Sequence, residues 1–218
     1  MARVAFHREY GIYYKEFFPR SPIEKLKAMI KGSRATRARL NSEALLLAGF
    51  DAPQNICWGT LEGSREYLFT YAVPGSGITH WLRNQLSARD SSTLKKRRQL
   101  LRELGVFIGR MHATGFVHGD LRSSNVLAVE HADRFQFSLI DNERNVRQSP
   151  PTGKQLLKNI MQLNMLFPSD LTRSDRLRFF RAWHSQMRDL TKIEAQILGV
   201  EAYKWACRRL QAKRQNSV

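Results

Sequence analysis

Two short runs in the middle of the chain hold side chains that could carry out phosphoryl transfer: His118-Gly119-Asp120-Leu121-Arg122-Ser123-Ser124-Asn125-Val126-Leu127 and Phe137-Ser138-Leu139-Ile140-Asp141. Phosphoryl transfer to a hydroxyl needs an acceptor-only group beside the attacking oxygen, which Asp120 supplies. It also needs hard oxygen ligands for a magnesium ion among the phosphates; Asn125 offers an amide oxygen and Asp141 a carboxylate. The five-residue step from Asp120 to Asn125 lets one loop present both side chains together, and a hairpin can return Asp141 beside them. Each residue alone is a weak signal, because a surface H-G-D loop is common and an Asp at a strand end is usually a turn former. The agreement of spacing, preceding helix and intervening hairpin selects the chemical reading: Asp120, Asn125 and Asp141 as catalytic residues, with Asn125 and Asp141 as the metal ligands.

The spacing H-x-D-x-x-x-x-N, a strand, then a metal-binding Asp is the protein-kinase arrangement. The elements that must position it follow from periodicity. A long helix is expected from about Ser92 to Thr114, with Leu101, Leu104, Ile108 and Met111 facing inward, followed by strands at Asn125 to Val129 and Phe135 to Ile140. Upstream, Val4 to Phe6, Gly11 to Phe18, Asn55 to Leu61 and Glu66 to Ala72 read as strands, the last two around the turn Glu62-Gly63-Ser64-Arg65. Ser21-Pro22 opens a basic helix to Ile30 that Lys31-Gly32-Ser33 breaks; a second helix, Arg34 to Ala48, carries Leu40, Ala44 and Leu47 on one face and ends at Gly49. Beyond Gly153 three helices are expected, one striped by Leu177, Phe180, His184 and Met187. Val73-Pro74-Gly75-Ser76-Gly77 is the best boundary, so the fold class is α+β, a bilobal kinase-like domain: residues 1–72 a small antiparallel-sheet lobe, residues 73–218 a helical lobe holding the catalytic loop.

A kinase of this kind needs a lysine on an N-terminal strand for the nucleotide phosphates and a glutamate on the next helix to pair with it. Lys15, inside Ile12-Tyr13-Tyr14-Lys15-Glu16-Phe17-Phe18, and Glu43, between Leu40 and Leu47, are the candidates. The bland alternative is an edge-strand lysine and a glutamate that merely borders the apolar stripe. Tyr67 to Ala72, including Phe69 and Tyr71, would be the hinge whose backbone receives adenine. ATP and magnesium are thus the expected cofactors.

The net charge of +17 points to an anionic partner: nucleic acid, an anionic membrane surface, or a phosphorylated or acidic substrate. A solvated surface that only aids solubility is the plain alternative. Cys57 and Cys207 form no ligand or redox motif and read as reduced packing residues in a cytosolic protein. No run reaches the ~18 apolar residues a membrane span requires, and residues 1–14 lack a signal-peptide core, so a cytoplasmic protein is expected. The basic stretch Arg208 to Arg214 could still lie against a membrane.

Lys15, Glu43, H-G-D-L-R-S-S-N and L-I-D-N-E-R together resemble the bacterial lipopolysaccharide kinase (Kdo/WaaP) family, from about Tyr13 to about Asn164; Ser42-Glu43 through Ala52-Pro53 and I-D-N-E-R resemble its InaA-type branch. The resemblance implies a protein-kinase-like fold, ATP and magnesium, and as acceptor a sugar hydroxyl (Kdo or heptose) of an anionic lipopolysaccharide core at the cytoplasmic face of the inner membrane. Gly119 and Asn142-Glu143 depart from the Arg and Phe-Gly of regulated protein kinases, and only about ten residues separate Asp141 from the next helix. These departures suit a constitutive glycan or small-molecule kinase. A Gly-rich loop should precede Lys15, yet Gly11 is the sole glycine there, which leaves three readings: truncation, a different nucleotide cover, or a binding-only pseudokinase. Aminoglycoside- or choline-type kinases and a small tRNA-associated kinase share the H-G-D loop; nucleic acid is the weaker partner candidate, supported by charge alone.

Overall fold

The structure, a computed structural model, describes residues 2–18, 32–62 and 65–215. The helix expected from Ser21 to Ile30 and the middle of the turn at Gly63-Ser64 lie outside the described residues. The chain divides into two compact units: residues 1–74 with 138–145, and residues 75–137 with 146–218. The Asp141 segment thus groups with the N-terminal sheet, although the sequence reading gave it to the helical lobe.

In the first unit, β-branched and aromatic runs form β1 (Ala2–His7), β2 (Ile12–Phe17), β3 (Asn55–Leu61) and β4 (Arg65–Tyr71). They pair antiparallel in the order β1-β2-β4-β3. The register sets Lys15 opposite Leu68, and the two-residue alternation places Tyr13, Lys15, Phe17, Leu68 and Thr70 on one face. Tyr14, Glu16, Tyr67, Phe69 and Tyr71 take the other face, where Tyr14 and Phe69 pack with ring centroids 5.0 Å apart.

Helix α1 (Arg34–Leu47) starts at Ser33, whose hydroxyl accepts the Thr36 N–H, the ordinary cap for otherwise orphaned backbone donors. Its buried face is Ala35, Ala38, Ser42 and Leu45, not the expected Leu40, Ala44 and Leu47; Leu47 is 91% exposed. The small residues Ala35 and Ala38 let the helix approach Phe17 and Leu68, so packing against the sheet overrides the larger side chains. Cys57 also departs from expectation: it is exposed and not a packing residue.

In the second unit, β5 (Ser76–Gly77) leads into α2 (Ile78–His80) and a π-turn (Trp81–Gln85). Helix α3 (Ser91–Ala113), capped by Asp90, buries Leu101, Leu104, Ile108 and Met111 as its periodicity predicts. Strands β7 (Val126–His131) and β8 (Arg134–Leu139) form a sheet with β5, and β6 (Phe116–Val117) pairs with β9 (Val146–Arg147). Helices α4 (Gly153–Leu163) and α5 (Arg173–His184) open with capping boxes, at Thr152/Gln155 and Thr172/Asp175, and α6 (Lys192–Gln215) completes the unit.

Helix α5 buries Phe179 and Trp183, whereas the expected stripe member Leu177 is exposed. The reason is α3: Gly105 and Gly109 admit the α5 backbone so closely that a Cβ on Gly109 would stand 2.7 Å from the Trp183 carbonyl oxygen. That contact fixes which side of α5 points inward, leaving Leu177, Phe180 and His184 to line a cavity of about 790 Å³ with Val200 and Tyr203 of α6.

Candidate active site

In the second unit the loop between β6 and β7 is folded by hydrogen bonds from its own residues. The Asp120 N–H donates to His118 Nδ1 at 3.1 Å, and Asn125 Nδ2 donates to the Asp120 carbonyl oxygen at 2.9 Å. The second bond orients the Asn125 amide, since its NH₂ end is committed and Oδ1 becomes the outer end, with the Ser124 hydroxyl 3.5 Å away. Asp120 Oδ1 accepts a hydrogen bond from Gln162 Nε2 at 3.1 Å and forms an ion pair with Arg122, whose Nε lies 3.0 Å away.

Helix α4 holds this loop from beneath. Asn159, fully buried, accepts the His118 N–H at 3.1 Å on Oδ1 and donates Nδ2 to the His118 carbonyl at 2.7 Å, matching the loop backbone with both ends of one amide. Gln162 Oε1 accepts the Leu121 N–H at 3.0 Å. Behind Asn159 lies His112 of α3: Trp183 Nε1 donates to its Nδ1 at 2.9 Å, so its protonated Nε2 faces Asn159 Oδ1 at 3.1 Å. Burial pushes the His112 imidazole down to about 4, because no water solvates the charged form.

In the first unit β2 supplies Lys15 and the segment after β8 supplies Asp141. The Leu139 N–H donates to the Asp51 carbonyl at 2.9 Å, which anchors the end of β8. Asp141 itself adopts the left-handed conformation, φ 66°, a backbone state sparse for non-glycine residues and typical of functional positions. Lys15 Nζ donates to Asp141 Oδ1, and its ammonium lies 5.3 Å from the Phe17 ring centroid. The following residues are clasped to α1: Asn142 Nδ2 donates to Ser42 Oγ at 3.2 Å, Asn41 Nδ2 donates to the Asn142 carbonyl at 2.7 Å, and Arg34 Nη2 reaches both Glu143 carboxylate oxygens at 3.0 Å.

The structure thus brings Asp120 to Asn125, and Lys15 to Asp141. It does not form the expected Lys15–Glu43 pair. Glu43 sits off the buried face of α1 and binds Arg39 Nη1 at 3.1 Å and Asn55 Nδ2 at 3.2 Å. Phe69 and Tyr71 lie on the sheet face opposite Lys15, so only their backbone suits the hinge role. Sequence reasoning passed over Asn159, Gln162, His112 and Arg34. For the α4 pair a signal existed: two amides three residues apart within the apolar run Leu156, Ile160, Met161, Leu163 are buried polar groups that must find partners.

Each unit presents a hard oxygen donor of the kind magnesium takes: Asn125 Oδ1, turned outward by its loop, in the second, and the half-exposed Asp141 carboxylate in the first.

The model of the lipopolysaccharide kinase (Kdo/WaaP) family matches residues 29–183. That stretch holds Glu43, Asp120, Asn125 and Asp141 and begins after Lys15. Among solved structures, WaaP in complex with acyl carrier protein superposes with a TM-score of 0.67 at 18% identity, over 96% of this chain and 88% of that one. The bifunctional kinase-methyltransferase WbdD superposes with a TM-score of 0.50 at 22% identity, over 89% of this chain and 41% of its own length. WbdD co-crystallised with the kinase inhibitor LY294002 gives the same TM-score, 0.50, at 22% identity and over 89% of this chain, which spans 42% of that one. A search of curated proteins returned no match. These likenesses show the fold, an N-terminal antiparallel sheet with a helical C-terminal region as in kinase-like proteins.

Proposed function

The chain belongs to the lipopolysaccharide kinase (Kdo/WaaP) family and is a phosphotransferase, and from that premise we propose that it transfers a phosphoryl group from ATP to a Kdo or heptose hydroxyl of the lipopolysaccharide core. The observation that carries the proposal is the Asn125–Asp120 closure, by which one loop presents a carboxylate and an oriented amide oxygen together. Asp120 accepts the proton of the attacking sugar hydroxyl; Lys15 contacts the nucleotide phosphates. Asn125 and Asp141 are the residues that would hold magnesium, which when bound neutralises charge on the phosphates.

The polar clasp on Asn142 and Glu143 supports a constitutively ordered site. A buried Asn142, bonded to Ser42 and to the Leu139 carbonyl, has no aromatic ring to swing between two packings. That favours a glycan acceptor over a regulated peptide acceptor.

The acceptor is membrane-borne in this reading, and the exposed cations Arg208, Arg209, Lys213 and Arg214 at the end of α6 are proposed to meet anionic headgroups or core phosphates. No helix among the described residues is long and apolar enough to cross a membrane. Each cation near such a surface contributes roughly 1 kcal/mol, screened within about 8 Å at physiological salt, so attachment would be reversible.

The test is transfer of label from γ-labelled ATP to dephosphorylated lipopolysaccharide core, alongside a mixed peptide library. Labelled glycolipid is the expected product, with Asp120→Ala reducing turnover by orders of magnitude while nucleotide still binds. Asp141→Ala should weaken the magnesium-dependent part of ATP binding. Robust peptide labelling without labelled glycolipid would overturn the acceptor assignment, and full activity of Asp120→Ala would overturn the role of Asp120. Changing the four α6 cations to Gln should lower sedimentation with anionic vesicles; unaltered binding in low salt would remove that contact from the proposal.

A further inference from the structure

We infer that Gln162 is a positioning residue that assigns separate duties to the two oxygens of the Asp120 carboxylate. This rests on Asp120 being the base, as proposed above. The inference begins with the orientation of the Gln162 amide. Its Oε1 accepts the Leu121 N–H at 3.0 Å and has Asn159 Nδ2 at 3.4 Å, so the carbonyl end is committed to two donors. The NH₂ end must then face Asp120, and it lies 3.1 Å from Oδ1. Exchanging the two ends would set an NH₂ against the Leu121 N–H and an oxygen against a carboxylate, two repulsions in place of two bonds. Gln162 is itself buried, 9% exposed, so water cannot substitute for the lost partners cheaply.

Oδ1 also pairs with the Arg122 guanidinium, Nε 3.0 Å away, so both contacts fall on the same oxygen. Among the described residues no such contact is made to Oδ2, which is the oxygen left to accept the proton of an incoming hydroxyl. The carboxylate therefore cannot rotate freely about its Cβ–Cγ bond, and the proton acceptor is held at one position before any substrate arrives. Arg122 is a largely exposed partner, and its side chain gives way to solvent; Gln162 is fixed by α4 and by the loop backbone. The rigid half of the clamp is the glutamine.

The experiment compares Gln162→Leu and Gln162→Glu in the full chain, using γ-labelled ATP and dephosphorylated lipopolysaccharide core, with Asp120→Asn alongside. Leu keeps the volume and removes the donor; Glu keeps the shape and sets a like charge against Asp120. We expect kcat to fall about 10- to 100-fold for Gln162→Leu with KM for ATP within about twofold. Gln162→Glu keeps an acceptor for the Leu121 N–H and removes the amide donor facing Asp120, so kcat should fall while KM for ATP and the thermal midpoint stay near wild type, a split that a merely structural residue would not produce. If Gln162→Leu fails to fold, the near-isosteric Glu variant still reports through that split. Wild-type turnover in every variant that folds overturns the inference while the base assignment stands. An active Asp120→Asn instead overturns the assignment on which it rests.

Discussion

Lys15 and Asp141, 126 positions apart in the sequence, form a hydrogen-bonded ion pair within the N-terminal unit. The pair is open to water: the lysine side chain is 23% and the aspartate 48% exposed. An ion pair so placed contributes at most about 1 kcal/mol to stability. Its position on the sheet face beside a left-handed Asp therefore points to chemistry. Lys15→Met should leave the thermal midpoint within a few degrees of wild type while reducing phosphoryl transfer by about two orders of magnitude. Parallel melting curves and transfer assays check it; a large loss of stability would recast the pair as structural.

Arg34 and Glu143 give the opposite expectation. Their side chains are only 10% and 9% exposed, so removing one partner leaves a buried charge without its main counter-ion. Arg34→Met should destabilise the chain by about 3–5 kcal/mol. Combining it with Glu143→Leu should recover part of that loss, since the double variant buries no charge there. Denaturant titration of both singles and the double gives the coupling.

Gly109→Ala tests the α3–α5 contact. In an exposed helix the change would stabilise by about 1 kcal/mol. Here the new Cβ would stand 2.7 Å from both the Trp183 carbonyl oxygen and the Gln186 Cβ, and neither backbone nor packed stem can yield without moving α5. The steric cost, about 1–3 kcal/mol, outweighs the propensity gain. A variant at least as stable as wild type would mean that the helices pack less closely than described.

His112 makes stability depend on pH. Its folded value, about 4, lies below the ordinary 6.5, so between these values the unfolded chain binds more protons than the folded one. Stability must therefore be full above about pH 6.5 and fall as the solution is acidified toward pH 4. The size of the effect is on the order of 3 kcal/mol. Unfolding free energies of wild type and His112→Gln across this range check the sign: the variant should show the shallower slope.

The local geometry of the candidate site was legible in the sequence because it depends on short-range spacing. Asp120 and Asn125 share one loop, so a five-residue step sufficed to predict that they lie together. The strands and α3 were legible for the same reason: alternation and the 3.6-residue period are local patterns, and Leu101, Leu104, Ile108 and Met111 lie inward as expected. What failed were inferences about which side of an element faces inward. Side-chain size argued for Leu40 and Leu47 on α1, yet the sheet accepts the helix through Ala35 and Ala38. On α5, the close approach at Gly105 and Gly109 turned Phe179 and Trp183 inward in place of Leu177. Partner choice was likewise tertiary. Lys15 could be recognised as a strand lysine, but its pairing with Asp141, and Glu43's with Arg39 and Asn55, follow from sheet register and helix rotation. The amides of Asn159 and Gln162 gained their partners only when α4 was brought under the loop that holds Asp120 and Asn125, because a hydrogen bond across about forty residues leaves no spacing for a sequence to display.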